Sequence, residues 1–256
     1  MLINCVKNEF ISLGGACDVG IALQWMRVKG PSYPFDWLAN LDDGLSVVID
    51  ILENDFEAVN KRDCYETRYF AGASKSYIVY KNHPEVVHLH SDPLADCNEH
   101  EALVRRMERF KIALQDRGLF INFLYYRSVD SLKLKEGSVS LEAATELLRS
   151  EGQRFVRFVQ KTYPGRLFSL TLVMQAPMEC WPRALSLLTK LNGSNKVPEI
   201  KYGFTIVRPD ENRKLKALWR TQWCELVLKT CKLNPSQRIR VKIKWLQQKI
   251  SFLLKQ

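Results

Sequence analysis

Short apolar runs of strand type alternate along the chain with longer segments in which apolar residues return every three or four positions. Phe10-Ile11-Ser12-Leu13, stopped by Gly14-Gly15, reads as a buried strand entering a turn. Residues 16–29 then predict a helix in which Ile21, Trp25 and Val28 recur at helical spacing, Leu23 and Met26 flank them, and Gly30-Pro31 supplies the stop. Leu45, Val48, Ile49 and Leu52 form the apolar stripe of a second helix over residues 42–54. Tyr77-Ile78-Val79-Tyr80 and Val86-Val87-His88-Leu89 read as a strand pair around a turn at Asn82-His83-Pro84. A charged helix over residues 99–116, with Leu103, Met107, Phe110 and Leu114 on one face, leads into a β-prone run at residues 119–126. Helices at residues 141–161 and 181–191 and strands at residues 167–173 and 201–207 continue the alternation.

This succession predicts an α/β or α+β fold, a layered sheet with flanking helices. Residues 1–210 are assigned to that domain, and residues 211–256 to a basic, mainly helical segment packed on it or extending it. From Ser236 onward, Ile239, Ile243, Leu246, Ile250 and Leu253 recur between basic positions, the pattern of a basic amphipathic helix. Residues 238–245 also alternate strictly, so a strand is the other reading of that stretch.

Composition narrows the class. With 256 residues and 46% hydrophobic content the chain can bury a full core without staples. Its seven cysteines are odd in number and show no CxxC or short Cys/His spacing, which points to buried or reactive thiols. A disulfide frame, a zinc site or another cofactor is not expected. Met1-Leu2-Ile3-Asn4-Cys5-Val6-Lys7 lacks the features of a secretory signal, and no apolar stretch is long enough to span a bilayer. The expectation is a cytoplasmic protein, free or attached at a membrane periphery. The net charge of +10 lies at one end, because residues 201–256 hold 14 Lys/Arg against 3 Asp/Glu. An anionic membrane surface or an acidic protein face is the expected partner of residues 236–256, with nucleic acid the least favoured.

The candidate chemistry centres on Cys17, which follows the Gly-Gly turn at the start of a helix, where a thiolate is favoured. Gly14, Gly15 and Ala16 supply the turn whose amides would hold an oxyanion. A base must come from four histidines. His83 and His100 read as surface residues, whereas His88 and His90 alternate along one strand; His90, at its end, is preferred and His88 held in reserve. Asp36 is the first choice for orienting the imidazole, with Asp92, Asn122 and Asp130 behind it. Asp36 reads equally well as a helix cap or a carboxylate tying a loop to a backbone amide. Asp18, next to Cys17, disfavours a thiolate.

Ser12-Leu13-Gly14-Gly15-Ala16-Cys17, then Pro34-Phe35-Asp36-Trp37, then His90 after a strand, resemble a bacterial family of papain-like cysteine peptidase domains that carries a domain-of-unknown-function title. That family opens with Ser-Leu-Gly-x-x-Cys, continues with Pro-Phe-Asp-Trp and later carries a histidine at a strand end. The resemblance implies a cysteine hydrolase or acyl-transfer enzyme acting on an amide, isopeptide or thioester bond of a peptide, protein or other amide-bearing substrate. Two other readings compete. Gly14-x-Ala16 loosely imitates a phosphate-binding turn, although Val19 replaces its third small residue and Asp18 sits where an anion would dock. A non-catalytic protein docking through its basic tail is the third. The docking reading is compatible with an enzyme and displaces it only if Cys17 is a buried, inert thiol; Trp25, Phe35 and Trp37 read as core aromatics rather than a substrate platform.

Overall fold

The computed structural model describes residues 7–40, 44–127, 140–206, 208–209 and 212–253. Its centre is a four-stranded, all-parallel sheet in the order β1-β6-β7-β8, formed by β1 (Lys7–Ser12), β6 (Leu119–Arg127), β7 (Phe168–Ala176) and β8 (Ile200–Ile206). Strands β6 and β7 are nearly continuous apolar runs because helices cover both of their faces. The two-residue period of β6 sorts its side chains. Ile121, Phe123 and Tyr125 meet α2 (Gly44–Glu53), α3 (Cys97–Gln115) and α4 (Leu141–Thr162) on one face. Leu124 and Tyr126 meet α1 (Asp18–Trp25) and α6 (Arg213–Thr230) on the other.

A second, antiparallel sheet is inserted between β1 and β6 in the order β2-β5-β4-β3, comprising β2 (Leu38–Asn40), β3 (Tyr65–Phe70), β4 (Lys75–Tyr80) and β5 (His83–His88). Tyr65, Ile78, Tyr80 and Val86 of this sheet share one hydrophobic core with the parallel sheet. The fold is therefore mixed α/β, sheets flanked by helices, and contains both strand arrangements that the sequence left open. Helix α5 (Trp181–Ser194) links β7 to β8, and α7 (Pro235–Leu253) follows α6 as a helix throughout, which excludes the strand reading of residues 238–245. Helix α6 is part of the domain core, since its Trp219 and Trp223 are fully buried against Tyr126 and α1.

Two boundaries differ clearly from the sequence pattern, each for a local reason. Helix α1 ends at Trp25 rather than near residue 29, because Arg27 takes a left-handed conformation (φ 59°) and the Val28 amide turns back to the Leu23 carbonyl. Gly30 instead makes room for the Glu9 carboxylate. The β4–β5 turn is Lys81-Asn82, so His83 and Pro84 already belong to β5, where proline is tolerated at the first positions of a strand. Strands β2 and β3 carried too little alternation to be recognised in advance.

The close approach of β1 to β6 fixes the turn that follows. Gly14 and Gly15 have φ of 87° and 93°, and a methyl group on Gly15 would fall on the Tyr126 carbonyl oxygen. The Tyr126 amide donates to the Gly14 carbonyl at 3.3 Å. On the other face a buried ion pair, Arg127 to Glu151 at 2.9 Å, ties β6 to α4, and Glu151 also accepts from the Ser46 amide of α2. We expect Gly15→Ala to destabilise the protein by about 2–4 kcal/mol, from the left-handed backbone and the lost space together, as read by urea unfolding.

Candidate active site

Strand β1 delivers the Gly14-Gly15 turn, and the turn delivers Cys17 to the N-terminus of α1. Cys17 already has helical dihedrals, and its carbonyl accepts from the Ile21 amide at 2.9 Å. Among the described residues, the amides of Ala16 and Cys17 have no backbone acceptor. They are the orphan donors of a helix start, lying beside the thiol. Cys17 as a whole is 8% exposed. Burial pushes its pKa up, the Asp18 carboxylate pushes the same way, and the Arg208 guanidinium opposes both by charge and hydrogen bonding.

Arg208 is a site residue that sequence reasoning missed. It stands two residues beyond β8, within 3.5 Å of Asp18 Oδ1. All four strands of the main sheet run parallel, so the ends of β1 and β8 lie on the same carboxyl side, where open α/β sheets place their ligands. That shared edge was the available signal, but it needed the strand order. The other two cysteines buried among the described residues differ: burial holds Cys224 up at about 12 and Cys231 up at about 11. Of these three, Cys17 alone has a guanidinium that opposes the effect of burial on its thiol.

The Pro-Phe-Asp-Trp element lies directly against α1. Gly20 permits this, because a Cβ there would meet the Asp36 carbonyl at 3.2 Å and the Trp37 ring at 3.6 Å. Phe35 is a core aromatic, but Trp37 is half-buried and lines a cleft of about 260 Å³ with Pro34, His88, His90, Ser91 and Arg106. His90 is exposed, just past the end of β5, and its ring packs edge-on to Trp37 with centroids 6.5 Å apart. One indole thus touches both the helix that begins at Cys17 and the preferred histidine. Trp25 is half-buried too, with Arg220 and Lys244 over its ring.

Asp36, the first choice for orienting the imidazole, and the reserve residues make contacts of their own. His88 is buried, with Nδ1 3.3 Å from the Ser91 hydroxyl and its ring edge-on to Tyr65 and Tyr80. Burial lowers its pKa to about 4. Asp36 is buried with Oδ2 2.7 Å from Lys29 Nζ and 2.8 Å from the Tyr33 amide, the arrangement of a carboxylate that ties down its own loop. Its pKa is raised chiefly by burial, although Lys29 and the amide both favour the charged form. Asp92 accepts from the Ala95 amide at 2.8 Å. Asn122 is fully buried in β6, where it donates to the Lys232 carbonyl at 3.0 Å and accepts from the Lys232 amide at 2.7 Å, so its amide pins the α6–α7 connection. Asp130 lies outside the described residues. His83 faces Glu85 at 3.6 Å, and His100 sits on α3 with its ring edge-on to Tyr65. No group of three or more His, Cys, Asp or Glu residues able to hold a metal occurs among the described residues.

Two expectations follow. Because the unfolded chain protonates His88 near 6.5 and the folded chain only near 4, its contribution to stability is complete above about pH 6.5 and is lost as pH falls toward 4. Between pH 7 and 4.5 this amounts to about 2 kcal/mol, and His88→Phe should flatten that part of the stability profile measured by urea denaturation. Arg208→Met removes the opposing cation, so the pH midpoint of Cys17 alkylation, followed by mass spectrometry, should move upward.

A search of curated proteins found no match to the chain, and neither did a search of solved structures. A protein-family model does match, over residues 8–151, which run from β1 into α4 and contain the Gly-Gly turn, Cys17, the Pro-Phe-Asp-Trp loop and the histidine-bearing hairpin. The chain therefore belongs to the family described as "Putative papain-like cysteine peptidase (DUF1796)".

Proposed function

We propose that the protein is a cysteine-dependent hydrolase or acyl-transfer enzyme that opens an amide, isopeptide or thioester bond, with Cys17 as nucleophile and His90 as base. The observation that carries this reading is the shared indole: Trp37 rests on Gly20, one helical turn from Cys17, and on the ring of His90. The cleft beside His90 seats the substrate. Arg106 lines it with no carboxylate within ion-pair distance among the described residues, which favours a substrate with a carbonyl or carboxylate near the scissile bond.

In this scheme the Cys17 sulfur attacks the carbonyl carbon as its proton passes to His90, and the carbonyl oxygen takes up negative charge at the Ala16 and Cys17 amides. His90 returns the proton to the leaving amine or thiol as the tetrahedral species collapses to a thioester. Water, activated by the same imidazole, or an acceptor amine then releases the acyl group. Arg208 offsets the burial of the thiol and the charge of Asp18. Asp36 serves as a positioning residue, since with Lys29 it fixes the loop that carries Trp37.

The test uses an electrophilic peptide probe, read by intact mass, on the wild type and on Cys17→Ala and His90→Ala. Cys17→Ala should lose labelling with its melting temperature kept, and His90→Ala should slow labelling by about 10²-fold or more. Labelling that persists in Cys17→Ala, or that does not depend on His90, would remove the reading.

A further inference from the structure

Helix α7 has two apolar faces, and only one of them is used. The inner face holds the buried Gln237 and Val241, Trp245 donates to Glu225 at 3.0 Å, and Lys244 sits over the Trp25 ring. On the opposite side Ile239, Ile243, Leu246, Ile250 and Leu253 are between 49% and 62% exposed. They follow one another at four, three, four and three residues, which places all five on one stripe running the length of the helix. An apolar cleft of about 440 Å³ lined by Leu228, Trp245 and Leu246, with Lys229 and Lys242 at its rim, continues this surface onto α6.

Charge identifies what covers the stripe. Helix α7 contains Arg238, Arg240, Lys242, Lys244 and Lys249 and no acidic residue. At 100° per residue, Arg238, Lys242 and Lys249 border the stripe on one side and Arg240 on the other. A second copy docking through the same stripe would set these cations against one another. An anionic lipid surface instead accepts both features at once, the aliphatic residues at the acyl boundary and the cations among the headgroups.

We propose that α7 is a membrane-surface anchor that lies in the plane of an anionic leaflet with Ile239, Ile243, Leu246, Ile250 and Leu253 inserted. The attachment is peripheral, because no helix among the described residues is long and apolar enough to cross a bilayer. It is independent of the chemistry at Cys17, and α7 lies outside the segment that the family model matches.

The experiment is co-sedimentation of the full-length protein with vesicles of phosphatidylcholine alone or mixed with phosphatidylglycerol. The wild type should pellet with the mixed vesicles and not with the neutral ones, and added salt should weaken the binding. Ile243→Ser with Ile250→Ser, both at exposed positions, should keep the melting profile and lower the partition coefficient by about tenfold or more. Lys242→Glu with Lys249→Glu should lower it by about tenfold as well. Wild-type protein that stays in the supernatant, or serine variants that pellet as well as wild type, would overturn the proposal. So would light scattering that shows a dimer abolished by the same serine substitutions, which would make a second copy the occupant of the stripe.

Discussion

The contact on which the rest of this molecule depends is the approach of Gly15 to the Tyr126 carbonyl at the end of β6. A side chain there would force β1 away from β6, its neighbour in the sheet, and the turn would lose the left-handed path that aims the chain into α1. Because Cys17 lies two residues beyond, its place is set by backbone geometry rather than by its own contacts. A position held in this way tolerates little drift, which is the requirement for a nucleophile that must meet a carbonyl from one direction.

Three separate pieces of chain converge on that point, each with its own electrostatic support. The turn brings a thiol beside two amides with no backbone acceptor among the described residues, the Pro-Phe-Asp-Trp loop brings an indole held by the buried Lys29–Asp36 pair, and the segment after β8 brings Arg208. The surroundings work against charge at rest. Burial and Asp18 favour the neutral thiol at Cys17, and burial keeps His88 neutral among tyrosines. Arg208 is the counterweight on the thiol, and its half-exposed side chain links the site to the far edge strand of the sheet.

Periodicity exposed the long helices and the main-sheet strands, because continuous burial or one-sided burial leaves a mark on composition. The inserted sheet was half visible: β4 and β5 carry aromatic and β-branched residues, whereas β2 has three residues and β3 is mostly exposed. At the site, Cys17 and the Gly-Gly turn could be singled out because paired glycines after a strand announce a turn, and a cysteine following them falls at a helix start. The part played by Asp36 was open, since a carboxylate that bonds a lysine seven residues back looks in sequence like one that orients an imidazole. Asn122 was open for the same reason: a buried amide in a central strand is suited to catalysis and to pinning a distant loop, and in the structure it holds Lys232. Gly20 lies inside a helix, where glycine is costly, and the nearness of Trp37 is what repays that cost.

The pairing of β1 with β6 joins Lys7 to Leu119 and Ser12 to Leu124, with the whole antiparallel sheet made in between. During synthesis, β1 therefore emerges roughly 10 s before the strand it needs. In the inserted sheet β3, β4 and β5 are joined by short hairpin loops and can form while the ribosome is still reading toward β6, whereas β2 waits for β5 across α2. Until then the segment around Cys17 is an unpaired apolar ribbon with an accessible thiol. Its protection during that interval falls to whatever meets the nascent chain, and the thiol is withdrawn from oxidants only when β6 docks and the turn closes over the Tyr126 carbonyl.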